Sequence, residues 1–406
     1  MANLLEPRWT SLDTHDLRLL LHERIGGPGQ YDGDNLHLYI PLARDSCKLV
    51  LTYCGPEIVE LSPGPRFSEE EWQRLVLDID RLVQPEPHRV GRDFCFSTYR
   101  VTGSWHGARS GIHIHPPPPG TPETPHEMGD HPFVLEFPIS WFGLYSIDNS
   151  RRIRTHRRLT LLLNLLLSGH TSFQSTRNQH LWAVAVDQVP SFEPKWVQAS
   201  FFGPLGEIFL DAPSASSSIA MPELPADTYY TKMGHDGRSL MVPDDLDDSI
   251  CRYLALSRGD RARLERSAYW LDLALRQWEI SVSASYASLV SAIESHLPQG
   301  DKHSIYCPDC KQERVHDFPG STAQFRDFFE TYAPGTSHKA RRNEMYSLRS
   351  KILHGSALMQ VDQQTAFGWD PPTHNEQDLH NELWGLTRMA LRNWLRSQPL
   401  VLTTHC

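Results

Sequence analysis

An α+β protein is predicted, with a mixed α/β region over residues 1–240 and an all-α helical bundle over residues 241–406 that carries a small cysteine-bearing insertion at 303–316. Three observations lead there. Short runs with period-two apolar alternation fill much of the first half. After residue 258 the apolar spacing changes to three and four, the period of a helix face. Between them lie the serine-rich stretch 214–218 and the polar, glycine-containing stretch 234–248, which suit a domain boundary near residue 240.

In the first region Leu36, Leu38 and Ile40 alternate with Asn35, His37 and Tyr39, the pattern of a half-buried strand. Residues 49–53, 133–137, 182–186 and 196–202 read as further strands. One helix between them is well marked. Ser68 and Glu71 form a capping box, and Trp72, Leu75, Ile79 and Leu82 follow on one face. Residues 116–119 are four consecutive prolines that open a stiff loop. Five arginines, 151, 152, 154, 157 and 158, precede the apolar run 159–167. They read either as an RNA contact or as the solvated first turns of a helix.

In the second region Leu264, Ala268, Leu271, Leu275 and Trp278 make one helical stripe, and Tyr286, Leu289, Ile293 and Leu297 make another that ends at Pro298 and Gly300. Phe325, Phe328 and Phe329 mark a short helix. Met345, Leu348 and Ile352 mark the next, stopped by Gly355. Leu379, Leu383, Leu386, Ala390 and Trp394 mark a long last one. Several amphipathic helices in succession are most simply satisfied by a bundle.

Bulk properties narrow the function. A chain of 406 residues suits two or three domains. A net charge of −10 argues against bulk, non-specific nucleic-acid binding but leaves room for a local basic site. The most apolar run, 159–167, has nine residues where a bilayer needs about 20, so it is a core element. The first residues lack a basic stretch followed by an apolar one, so no signal peptide is expected. The seven cysteines form no disulfide framework, and a reducing cytoplasmic setting is expected.

The segment with the most chemistry is Tyr346-Ser347-Leu348-Arg349-Ser350-Lys351-Ile352-Leu353-His354-Gly355. Cleaving RNA without a metal requires a group that moves the 2′-hydroxyl proton and positive charge on the phosphorane. Histidine titrates near neutrality, and the arginine fork matches phosphate oxygens. His354 is therefore assigned proton transfer, and Arg349 phosphate and transition-state stabilisation. Five residues along a helix separate two side chains by about 140° and roughly 7.5 Å of rise, so the two do not naturally converge. Either Gly355 ends the helix and frees His354, or two protomers each contribute one residue. A purely structural reading stays open: Arg349 as an ion pair with Glu294 across two helices, and His354 as a cap on carbonyls at its helix end. Lys339, Arg341, Arg342 and Lys351, with His338, cluster around the motif as a guide for an RNA backbone or as a solvated helix face.

The Tyr-x2-Arg-x4-His-Gly pattern resembles the signature of HEPN domains. With residues 263–268, Ala292-Ile293-Glu294 and Phe325-Arg326-Asp327-Phe328, the region 240–397 is similar to the Apea-like HEPN family. The resemblance implies an endoribonuclease that leaves 2′,3′-cyclic phosphate ends and works as a homodimer. It implies anti-phage abortive defence by cutting host RNA, tRNA among the candidates. The first 240 residues would then sense infection, with a phage-derived activator as the partner. Glu294, Tyr346 and Ser350 take supporting places around the Arg349–His354 pair; Ser350 stands where active members often carry Asn, Asp or His. The competing reading is a non-catalytic HEPN protein that binds RNA, a nucleotide or a protein through the same groove.

His303-x3-Cys307-x2-Cys310-x5-His316 has the spacing of a zinc knuckle whose zinc would be structural, since all four positions are protein ligands. Two reduced cysteines in a loop fit the same residues. His113-Ile114-His115 alternates on a strand, which puts both imidazoles on one face and makes half of a metal site, with His106, His126 and His131 close in sequence. No cofactor is expected for catalysis.

Overall fold

Strands and helices alternate through the first half of the chain, and helices dominate after residue 245. The computed structural model describes Trp9 and residues 12–25, 29–32, 35–39, 47–54, 57–64, 66–83, 88–121, 131–168, 171–172, 180–185, 193–198, 206–215, 219–231, 239–278, 280–297, 302–306, 313–317, 320–335, 339–363 and 371–400. The order is α1 (Thr14–Ile25), β1 (Gly29–Asp32), β2 (Asn35–Tyr39), β3 (Cys47–Cys54), β4 (Glu57–Pro63), α2 (Glu69–Val83), β5 (His88–Ser97), β6 (Trp105–His106), β7 (His113–His115), β8 (His131–Ser140) and α3 (Tyr145–Leu166). It continues with β9 (Thr171–Ser172), β10 (His180–Ala185), β11 (Glu193–Gln198), β12 (Phe209–Leu210), β13 (Glu223–Leu224), α4 (Ala226–Thr231), β14 (Val242–Pro243), α5 (Leu246–Ala255), α6 (Arg258–Gln277) and α7 (Val282–Glu294). It ends with β15 (Lys302–Tyr306), β16 (Glu313–Asp317), α8 (Ser321–Tyr332), α9 (Lys339–Leu353), α10 (Gln360–Gln363) and α11 (Pro371–Ser397). The α+β class is as expected.

The chain forms two compact units. One comprises Met1–Arg92, Glu136–His156 and Glu207–Pro213; the other comprises Asp93–Leu135, Arg157–Gly206 and Ser214–Cys406. These units do not divide at the single boundary expected near residue 240. The reason is visible in the second unit, where the end of α3 is tied to the late helices. Asn164 donates to Asp272 on α6 at 2.9 Å, Arg158 pairs with Glu265 at 3.4 Å, and Arg388 on α11 donates to the carbonyls of Asn164 and Leu167. Those contacts join residues more than a hundred positions apart, and composition along the chain carries no trace of them.

In the first unit β1 to β4 form an antiparallel sheet in sequence order. Leu49, Leu51 and Tyr53 from β3, with Ile58 and Leu61 from β4, pack in one core with Leu17, Leu20 and Leu21 of α1 and Trp72, Leu75, Ile79 and Leu82 of α2. The capping box of α2 forms as read. The Glu71 N–H donates to Ser68 Oγ at 3.2 Å, and the Ser68 N–H donates to Glu71 Oε2 at 3.0 Å. The arginine run begins the long helix α3, and its members have internal partners. Arg151 and Arg154 both reach Asp16, and Arg152 donates to Asn149 and to the carbonyl of Arg92. In the second unit Arg157 lies over the Tyr269 ring at 5.9 Å. These pairings account for the run without RNA.

In the second unit α7 is buried almost all round, and it contacts α6, α8, α9, α10 and α11. A helix apolar on every side belongs at a bundle centre. Its buried serines are hydrogen-bonded. Ser288 donates to Gln277 at 2.6 Å, Ser285 meets His380 Nε2 at 2.9 Å, and Ser283 Oγ accepts from the Met359 N–H at 2.8 Å. The predicted stripes on α8 and α11 are buried throughout: Phe325, Phe328 and Phe329, then Leu379, Leu383, Leu386, Ala390 and Trp394. On α6 the stripe holds at Leu264, Ala268 and Leu271, while Trp278, just past the helix end, is exposed.

Two bundle histidines are buried, His296 against Phe328 and Trp394 and His380 against Trp278 and Tyr286. Burial, helped at His296 by the charge of Arg263, pushes both down to about 4. The folded state therefore keeps them neutral, whereas the unfolded chain takes up protons below its ordinary histidine pKa of about 6.5. Their contribution to stability is complete above that pH and is lost as pH falls from about 6.5 toward 4. Urea denaturation at pH 7.5, 6 and 5 should show stability falling by up to about 1.4 kcal/mol per pH unit for each histidine. His380→Gln should remove one of the two contributions and halve the slope.

Candidate functional site

The motif helix α9 lies against α7, and the contact is made by one carboxylate. Glu294, the last residue of α7, accepts from the Tyr346 hydroxyl at 2.8 Å and from the Arg349 guanidinium. Tyr346 and Arg349 are one turn apart, so both reach the same acceptor. Tyr346 also packs against Phe325 of α8, with ring centroids 5.4 Å apart. Burial and the hydrogen bond to Glu294 raise the phenol above its ordinary pKa. It remains a neutral donor at physiological pH.

Arg349 is not wholly spent on that ion pair. Its side chain is 22% exposed, and among the described residues its Nε has no hydrogen-bond partner. The guanidinium is held in a fixed orientation by the carboxylate, with part of the side chain at the surface and Nε covered. The ion pair of the purely structural reading is present. It positions the guanidinium as well as joining the helices.

His354 is exposed at the other end of the motif. The helix stops there in a Schellman arrangement. The Ser356 N–H donates to the Lys351 carbonyl at 2.9 Å and the Gly355 N–H to the Ile352 carbonyl at 3.0 Å, with Gly355 at φ +69°. Arg349 reaches Glu294 of α7, and His354 is exposed five residues on, about 140° further round a regular helix. The carbonyl of Ser350 accepts the His354 N–H at 3.0 Å. Exposed Leu353 and Leu358 flank His354.

The basic cluster is placed differently from the expectation of one RNA-facing group. Arg342 is 3% exposed and donates to the Ala333 carbonyl at 3.2 Å, which ties α9 to the end of α8 and takes it out of any surface track. Arg341 pairs with Glu382 of α11 at 2.6 Å and reaches Asn375 at 3.2 Å. Lys351 is exposed beside the motif. The side chain of Lys339 and all of His338 lie outside the described residues.

Sequence reading missed Asp362, a positioning carboxylate. It accepts from Ser281 Oγ at 2.8 Å, the Val282 N–H at 2.8 Å and the Ser283 N–H at 2.7 Å, so α10 caps the N-terminus of α7. Burial alone would raise its pKa, yet the hydrogen bonds from Ser283, Ser281 and Val282 hold it below the ordinary value. The chain leaving His354 is thereby anchored to the helix that carries Glu294. Nothing local signals the cap, because donor and acceptor are about eighty residues apart.

In the insertion, β15 and β16 pair antiparallel with His303 opposite His316. Cys307 and Cys310 fall in the connection between the strands and lie outside the described residues, as do the side chains of both histidines. Among the described residues, no group of three or more His, Cys, Asp or Glu side chains stands ready to hold a metal ion, and no helix is long and apolar enough to cross a membrane. No known protein family, curated protein or solved structure matches this chain.

A Cβ added at Gly355 would meet nothing within 4 Å, so the cost of substitution there is purely conformational. Gly355→Ala should lower stability by about 1–2 kcal/mol, and Gly355→Asn by less, because asparagine tolerates the left-handed region better. Urea denaturation measures both; equal stability of all three proteins would contradict the helix end described.

Proposed function

We propose that this chain is a HEPN-type endoribonuclease that needs no metal for its chemistry. The observation that carries the reading is the pairing of a partly exposed guanidinium, oriented by Glu294, with an exposed imidazole at the glycine-terminated end of the same helix. Arg349 would hold a phosphate oxygen and stabilise the phosphorane. His354 would transfer the proton as the 2′-oxygen attacks phosphorus and the 5′-oxygen leaves, giving a 2′,3′-cyclic phosphate and a 5′-hydroxyl. Glu294 and Tyr346 orient the arginine; Ser350 and Lys351 border the approach.

Because five residues of regular helix set the two groups about 140° apart, the reading takes a homodimer in which Arg349 of one protomer serves His354 of its partner. The exposed leucines beside His354 suit such a contact. Host RNA, with tRNA as the leading class, cleavage in anti-phage defence, a cytoplasmic setting and release by a phage-derived activator complete the reading, on the resemblance of the motif region to the Apea-like HEPN family. A structural zinc in the 303–316 insertion belongs to it too, supported by the register of His303 and His316.

The Glu294–Arg349 ion pair also favours a second reading, a non-catalytic HEPN protein that binds RNA, a nucleotide or a protein without cutting. Subunit mixing separates the two. Arg349→Lys, which keeps a charge for Glu294 but loses the fork, and His354→Ala should each abolish RNA cleavage while stability changes little. Co-assembled, the two variants should regain about a quarter of wild-type activity, because half of the dimers are mixed and each mixed dimer has one complete site of two. No cleavage by the wild type together with retained RNA binding would favour the second reading. Activity unchanged in both variants would remove Arg349 and His354 from the chemistry.

A further inference from the structure

His106, His113 and His115, which play no part in the nuclease reading, are brought together by the hairpin of β6 and β7. Trp105 pairs with Ile114 and His106 with His113, which places Ser104, His106, His113 and His115 on one face while Ile112 and Ile114 are buried in the core. His106 Nδ1 lies 2.9 Å from His113 Nδ1, and His115 Nδ1 lies 3.1 Å from Ser104 Oγ. The ring centroids are 4.7, 5.1 and 6.2 Å apart. His113 and His115 are 9% and 7% exposed, and His106 is half-buried.

We propose that these three histidines bind one divalent transition-metal ion of the zinc and cobalt class. Two imidazole nitrogens at 2.9 Å share a single proton as they stand, so the rings do not yet surround a common point. An ion takes the place of that proton. Around a tetrahedral ion with bonds of about 2.0–2.1 Å, ligand nitrogens sit roughly 3.3 Å apart and ring centroids roughly 5 Å apart. The His106–His113 pair therefore needs a shift of a few tenths of an ångström at its nitrogens, and the three rings need shifts of up to about 1 Å. His115 binds through Nε2, because its Nδ1 faces Ser104; that contact is the outer-shell partner which fixes the tautomer of a metal-bound histidine. Three neutral imidazoles without carboxylate or thiolate favour borderline transition metals over magnesium or calcium. A fourth coordination position remains for water.

The hairpin is rigid enough to present such a site. Its turn is held by Asp247 of α5, which accepts from the Arg109 and Ser110 N–H groups at 2.9 and 3.1 Å and from Ser110 Oγ at 2.6 Å. Its first strand is bonded on both sides of Ser104, with the Ser104 N–H donating to the Ile219 carbonyl and the Met221 N–H to the Ser104 carbonyl, each at 2.9 Å. A Cβ at Gly103 would lie 2.6 Å from the backbone of Ala220, so only glycine permits that close approach.

The test uses the full chain without a polyhistidine tag, carrying Cys307→Ser and Cys310→Ser so that the paired thiolates of the 303–316 insertion do not bind metal. Titration with Co2+ should give one equivalent with the intense visible bands of a tetrahedral ion, displaced by Zn2+. His106→Gln and His113→Gln should each weaken binding by 100-fold or so, and Ser104→Ala by about 10–100-fold, with metal-free melting temperatures unchanged. No uptake by a protein that melts like the wild type, or uptake indifferent to both histidine substitutions, overturns the proposal. Should a substituted hairpin fail to fold, X-ray absorption of the zinc-loaded protein carrying Cys307→Ser and Cys310→Ser decides alone: three imidazole ligands support the site, and any other number overturns it.

Discussion

Much of the second unit is organised by the carboxylate of Glu294. It ends α7, where the partial negative charge of the helix terminus makes an anion unfavourable. A carboxylate there needs donors, and Tyr346 and Arg349 provide them from successive turns of α9. That requirement fixes the register of α9 on α7 and the direction of the Arg349 guanidinium. The other end of α7 is held in the opposite electrostatic sense, with Asp362 accepting from its free N–H groups. Both ends of the central helix are thus answered by charged or polar groups of the motif helix and of the segment that follows it.

Charge in this protein is mostly spent on itself. Arg151, Arg152, Arg154, Arg157 and Arg158 look like a polyanion-binding stripe when written in line, yet each meets an aspartate, a glutamate, a carbonyl or an aromatic ring. Arg342 is buried and Arg388 part-buried against carbonyls at helix ends, where their charge complements the helix termini. Such burial is tolerated because each guanidinium is hydrogen-bonded and arginine sheds hydration more easily than lysine. Among the described residues beside the motif, Lys351 is exposed and Arg349 is partly exposed.

Helix periodicity made much of the fold legible in advance. The stripes of α2, α8 and α11, and Tyr286, Leu289 and Ile293 of α7, are buried where their spacing placed them, while Leu297 lies past the end of α7 and is half-buried; the Ser68–Glu71 box and the Gly355 stop are formed as read. These features depend on residues within one or two turns of each other. The division into units was not legible, because α3 runs from one unit into the other and its second half is tied to helices far along the chain by Asn164 and Arg388.

The candidate sites follow the same line. Sequence alone picked out Arg349, His354 and the alternation of His113 and His115, since each is a local pattern with its own chemistry. It could also name Glu294 as the partner of Arg349, because both lie on helix faces with readable spacing. Only the tertiary structure decided that Arg342 is buried, that Asp362 caps α7, and that His106 joins His113 and His115 across a hairpin. The physical reason is that period and capping are properties of a short segment, whereas the partner of a charge or a ring nitrogen is fixed by which distant segments pack together.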